Sequence, residues 1–145
     1  KASGKTEKML ESILDEVPVH FPALLEGLKL TKKAATVGFD WENTDQIFAK
    51  LDEESRELKL AIEQNDKESI SEEIGDLLFV VQNLARHLDV EPESALKRTN
   101  RKFRNRFKYI EKELENSGKS LAETSLEEMD LLWDRSKNSL VNEFS

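Results

Sequence analysis

Apolar residues along this chain recur every three or four positions, and no apolar–polar alternation persists long enough for a strand. The pattern predicts six helical segments. Residues 6–16 form a short amphipathic one, ended near Pro18. Residues 22–37 carry Leu24, Leu25, Leu28 and Ala35 on one side and stop at Gly38. After a loop at Phe39-Asp40-Trp41, a third runs from Thr44 to the turn Gln64-Asn65-Asp66. The fourth spans about 67–88, with Ser69 and Glu72 spaced as a capping box. Asp89 to Pro92 makes a turn, and Pro92 suits the first position of the fifth helix, which ends at Asn116 before Ser117-Gly118. The sixth opens at Ser125, boxed with Glu128, and fades near Val141. Short connections make neighbours antiparallel, so the expected fold is an all-α antiparallel helical bundle.

The 145 residues fit one domain over 6–145, with 1–5 read as a polar tail or cloning remnant. Apolar residues make up 37% and charged residues 36%, as expected for helices with heavily solvated outer faces. The chain has no cysteine, which removes disulfides and thiolate metal sites and fits a reducing, cytoplasmic setting. No stretch approaches the ~20 apolar residues of a membrane span, and the first residues do not resemble a secretory signal. A net charge of −8 argues against a general nucleic-acid binder.

The charge is unevenly placed. At about 100° per residue, Ile47, Leu51, Leu58, Ala61 and Ile62 share one face of segment 44–64. Glu54 lies inside that face, Glu57 at its edge, and Glu53 further round. Solvation accounts for Asp52, Glu63 and Glu68, but a carboxylate aimed into a core is costly unless paired or bound to a cation. In segment 67–88, Ile70, Ile74, Leu77, Val81, Ala85 and Leu88 form the main stripe, widened by Phe79 and Val80. Glu73 aligns with Val80 and Leu84, and Asp76 stands one turn on. Glu72 is explained by capping and the helix dipole. Two facing pairs, Glu54 with Glu57 and Glu73 with Asp76, offer oxygen-only ligation suited to Mg²⁺ or Mn²⁺. By spacing alone, a chance cluster of dipole and surface acids remains the alternative. Gly75, between the acids, costs about 1 kcal/mol in a helix interior, so a close approach of segment 44–64 or of a ligand is expected there. Di-iron bundles need Glu-x-x-His pairs, which the chain lacks.

Segment 92–116 reverses the charge with Lys97, Arg98, Arg101, Lys102, Arg104, Arg106 and Lys108. Its apolar stripe is Leu96, Phe103, Phe107, Ile110 and Leu114, and Lys102 and Arg106 share a flank. A solvated basic face explains these residues; RNA binding is disfavoured by the missing exposed aromatics. Together with a divalent cation, Lys102 and Arg106 suit a polyphosphate. Neither a Walker-type loop nor a nucleophilic triad is present.

Glu53-Glu54-x-x-Glu57 followed by Glu73-x-x-Asp76 resembles the metal signature of the all-α NTP pyrophosphohydrolase superfamily. Pro22-Ala23-Leu24, Val37-Gly38-Phe39-Asp40-Trp41, Glu73 to Phe79, Asn83 to Leu88, and Asn100-x-Lys102-Phe103-x-x-Arg106-Phe107 resemble the MazG family in particular. The resemblance spans roughly 18–136 and is greatest to the second, catalytically active domain of tandem MazG proteins. It implies a helical bundle completed by dimerisation, as a homodimer or higher homo-oligomer. Mg²⁺, with Mn²⁺ as a substitute, would sit on Glu54, Glu57, Glu73 and Asp76. Lys102 and Arg106 would hold phosphates, and Lys50, Glu53, Asn100 and Trp133 would contact the nucleotide. Trp133, beside Met129 and Leu132, also suits a helix core, and Trp41 reads as packing. The implied reaction converts a nucleoside triphosphate and water to the monophosphate and pyrophosphate, with Glu53 or Glu57 serving the attacking water. A relative acting on dUTP or phosphoribosyl-ATP, and a non-catalytic helical dimerisation module, are the competing readings. Neither a nucleic-acid nor a membrane partner is expected.

Overall fold

The computed structural model describes residues 11–139. The tail expected at 1–5, the start of the first expected helix and the expected end near Val141 lie outside them. Among the described residues there are five α-helices and two short 3-10 turns, with no strand: α1 (Ala23–Ala35), α2 (Thr44–Glu63), α3 (Lys67–His87), α4 (Pro92–Asn116) and α5 (Leu126–Ser139). The 3-10 turns cover Ile13–Glu16 and Leu121–Glu123. The fold class expected from periodicity is therefore the observed one. None of these helices is long and apolar enough to cross a membrane.

Local chemistry sets the boundaries. Asn43 caps α2 by accepting from the Gln46 amide at 3.0 Å, and Asp66 caps α3 by accepting from the Ser69 amide and hydroxyl. The expected box on Ser69 is thus corrected: Ser69 lies inside the helix and donates to the cap residue. At the end of α1, Gly38 adopts φ +87°. The Phe39 amide then bonds back to the Ala34 carbonyl at 3.1 Å, closing the helix as glycine permits. Ser125 accepts from the Glu128 amide at 3.1 Å, as the spacing predicts.

The chain divides into two compact units between Glu93 and Ser94. In the first, α2 and α3 form a hairpin across Gln64-Asn65-Asp66, and α1 packs on α3. The close helix approach falls at Gly27 of α1, where an added Cβ would stand 3.1 Å from Gln82 Cδ. It does not fall at Gly75, whose added Cβ would meet nothing within 4 Å. Gly75 and Gln82 lie two helical turns apart on one face, and the close contact is at Gln82, against Gly27.

The stripe expected to be the core of α3 also turns out differently. Val80, Gln82 and Asn83 are its buried residues, while Ile74, Leu78, Phe79 and Val81 remain 45–53% exposed. Contact with α1 draws in the polar side of the helix instead. In the second unit, Ile110, Leu114 and Leu132 form a small core, with Phe107, Met129 and Trp133 packed on it.

Candidate functional site

The hairpin of α2 and α3 sets the middle of one helix beside the first half of the next. Ligating oxygens of Glu54, Glu73 and Asp76 lie within 4.8 Å of one another, and so do those of Glu53, Glu54 and Glu57. Glu54 belongs to both sets. It is only 5% exposed, as its place in the apolar arc of α2 requires.

This cluster is electrostatically crowded. Glu54 Oε2 and Glu73 Oε2 are both buried without a hydrogen-bond partner. Two ionised carboxylates only accept, so facing each other they must share a proton or a cation. The Glu73 carboxyl is accordingly pushed up to about 7, first by the facing Glu54 carboxyl and then by desolvation and the Glu57 charge. Burial alone would raise Glu54 too, but the facing Glu73 carboxyl and the Lys50 ammonium outweigh it and hold this carboxyl below its ordinary value. Lys50, one turn before Glu54, donates to Glu53 Oε2 at 2.7 Å and lies 3.1 Å from Glu54 Oε1. Its ammonium is held above the ordinary lysine range by those two carboxylates, Glu53 first. The orphaned oxygens and the all-oxygen donor set fit a hard divalent cation.

Of the basic residues, Lys102 and Arg106 stand one turn apart on α4, within the second unit. The Arg106 guanidinium lies 5.5 Å from the Trp133 ring centroid, and Phe103 lies 5.4 Å from the same ring. Trp133 is thus both a wall of the small core and a platform for Arg106. Asn100 is exposed on the same helix.

A second feature of the first unit was not anticipated by spacing. Asp40 Oδ1 accepts from Arg86 Nη2 at 2.5 Å, from His87 Nε2 at 2.9 Å and from the Trp41 amide at 2.8 Å. Burial would raise this carboxyl, but the Arg86 and His87 bonds lower it to about 2. Arg86 Nε also donates to Thr31 and to Asn83 Oδ1, each at 3.1 Å. The network ties the loop after α1 to the end of α3. It floors a cavity of about 560 Å³ walled by Phe39, Trp41, Phe79 and Val80, with Lys50 also in its lining. Asp40 and Arg86 are 46 positions apart, so only the fold brings them together.

Residues 42–110 match the family described as the MazG nucleotide pyrophosphohydrolase domain. The chain is 40% identical over 137 residues to the nucleoside triphosphate pyrophosphohydrolase/pyrophosphatase MazG of Thermotoga maritima, covering 94% of this chain and 52% of that protein. It is 35% identical over 146 aligned residues to the Escherichia coli K12 nucleoside triphosphate pyrophosphohydrolase, covering 98% and 55%. An uncharacterised Bacillus subtilis protein, YabN, is 46% identical over 140 residues, 96% of this chain and 28% of that one. The chain thus spans about half the length of the two named pyrophosphohydrolases. The matched domain takes in the whole of α2 and α3 with their acids, and residues 42–110 belong to the MazG domain family.

Proposed function

We propose that this chain hydrolyses nucleoside triphosphates to the monophosphate and pyrophosphate, by attack of water on the α-phosphorus. The reading is carried by the paired orphan oxygens of Glu54 and Glu73, inside a domain whose relatives are named for this activity. Glu54, Glu57, Glu73 and Asp76 would hold Mg²⁺, or Mn²⁺ in its place. When bound, such a cation polarises phosphoryl oxygens and lowers the pKa of a coordinated water.

The chain's own groups do the rest. Glu53 and Glu57, on either side of Glu54, are the candidates to orient the attacking water and take its proton. Lys50 keeps Glu53 and Glu54 in place through its ammonium and offers positive charge to the substrate. Lys102 and Arg106 are assigned to charge on the β and γ phosphates, and Asn100 and Trp133 to nucleotide contacts, as the family resemblance implies. The exposed apolar face of α3, at Ile74, Leu78 and Val81, together with the open space over Gly75, supports a homodimer in which a second copy covers it. The absence of cysteine fits a cytoplasmic setting.

A pyrophosphate-release assay with Mg²⁺ over canonical, deoxy and damaged triphosphates, dUTP and phosphoribosyl-ATP tests the reading. Glu54→Gln and Asp76→Asn should each abolish release while helical content is retained. Turnover surviving in both variants would overturn the assignment.

A further inference from the structure

The cavity beside Lys50 differs in character from the acid cluster it adjoins. Trp41, Phe39 and Phe79 give it aromatic walls, and Leu30, Ala34 and Val80 complete an apolar lining. Its volume of about 560 Å³ falls within the ~300–1,000 Å³ of small-molecule sites. Trp41 is held in place from behind: its amide and the Arg86 and His87 side chains all donate to Asp40.

The lining also holds Thr31, Asp40, Lys50, Asn83 and Arg86, and of these Asn83 is the buried one, 7% exposed. Its Oδ1 accepts from both Arg86 Nε and Nη2, at 3.1 and 2.9 Å. Two donors on one atom fix which way the amide faces. Among the described residues, no acceptor engages its Nδ2, so the wall offers a hydrogen-bond donor. Lys50 lines the cavity and also bridges Glu53 and Glu54. The aromatic space therefore begins where the acid cluster ends.

We propose that this cavity receives the nucleoside part of a nucleoside triphosphate, with the base against Trp41 and an acceptor on its edge facing Asn83 Nδ2. The inference rests on the hydrolytic reading of the acid cluster and adds where the base goes. Every base has a π-face and at least one edge acceptor, so this site would require a base without selecting strongly among bases. An aromatic wall stacks any base. Arg86 is bonded to Thr31 and Asp40, and Lys50 to Glu53 and Glu54, whereas sharp discrimination needs several polar groups placed to read the base edge. Trp41 is then a binding residue rather than packing.

Calorimetric titration with a non-hydrolysable nucleoside triphosphate and with inorganic tripolyphosphate, each with Mg²⁺, tests this on wild type, Trp41→Leu and Trp41→Phe. Loss of a base–aromatic stack corresponds to a weakening of about 5- to 150-fold. Trp41→Leu should weaken the nucleotide by that factor and leave tripolyphosphate within about twofold, and Trp41→Phe should recover most of the loss. If Trp41→Leu does not fold, Phe39→Ala reads the same wall from a residue that is 81% exposed. Unchanged nucleotide affinity, or equal loss for nucleotide and tripolyphosphate, overturns the pocket and leaves the hydrolytic reading intact. A wild-type protein that binds neither probe and releases no pyrophosphate overturns that reading, and this inference with it.

Discussion

Replacing Glu54 with glutamine separates what the acid cluster does for function from what it costs the fold. The side chain is 5% exposed and keeps its shape, but one carboxylate oxygen becomes a donor. In the native chain Glu54 Oε2 is buried without a partner, which costs about 1–3 kcal/mol for a polar group and more for a charged one. A glutamine amide there can donate into the surrounding carboxylates. The loss to set against this is the 3.1 Å contact with Lys50 Nζ. Lys50 keeps Glu53 at 2.7 Å, so about 0.5–1 kcal/mol is forfeited. The net gain is about 1 kcal/mol, a rise in Tm of roughly 2–4 °C without metal.

The effect carries a pH signature. The Glu73 carboxyl stands at about 7 in the fold against an ordinary value of 4.5. Between those values the folded chain binds more protons than the unfolded one, so wild-type stability falls as pH rises from 4.5 through about 7. The variant, with no buried charge at position 54 to repel Glu73, should show a flatter profile and its largest advantage at pH 8. Saturating Mg²⁺ should reverse the ranking, because a ligand at a hundred times its Kd stabilises by about 2.7 kcal/mol and the variant has lost a ligating oxygen. Thermal melts at pH 5.5 and 8, with and without Mg²⁺, provide the check. A variant that melts lower than wild type at pH 8 without metal, and responds equally to Mg²⁺, would refute the argument.

Two further outcomes follow from the first unit. Asp40 is held at about 2 against 3.8, so its contribution is present above 3.8 and lost as pH falls through about 2. With the side chain 26% exposed, Asp40→Asn should cost about 1 kcal/mol at pH 7 after discounting for solvent, and much less at pH 2.5; urea titrations giving a pH-independent difference would contradict this. The two helical glycines should respond in opposite directions. Gly75→Ala gains about 0.5–1 kcal/mol of helix preference, since its Cβ meets nothing within 4 Å. Gly27→Ala sets the same gain against about 1–3 kcal/mol of overpacking on Gln82, 3.1 Å away. Denaturant midpoints in the reverse order would refute the packing account.

Sequence reasoning succeeded where the physics is local. The start of α4 follows from Pro92 and that of α5 from its Ser125–Glu128 box, whereas the box read at Ser69 gives way to the Asp66 cap. The burial of Glu54 follows from its position in an apolar arc. The side-by-side placement of Glu73 and Asp76 needs only the helical period. What escaped depends on partners distant in sequence. Periodicity assigns Ile74 and Val81 to a core because it ranks residues by hydrophobicity. It has no access to α1, whose Gly27 draws the polar Gln82 inward instead.

The same limit bears on function. Asp40, Trp41, Asn83 and Arg86 are polar or aromatic residues without informative spacing, and each taken alone reads as loop chemistry or packing. Joined through one carboxylate and one amide, they make a braced aromatic wall beside a cluster of acids. Lys50 is the residue common to both. Its spacing of three and four from Glu53 and Glu54 marks it as a helix ion pair, and that is an accurate account of its contacts. The cavity adds to that account, because Lys50 also lines an apolar space sized for a nucleoside while its ammonium pairs with carboxylates suited to divalent cations. A substrate that is aromatic at one end and polyanionic at the other is the chemistry this juxtaposition fits.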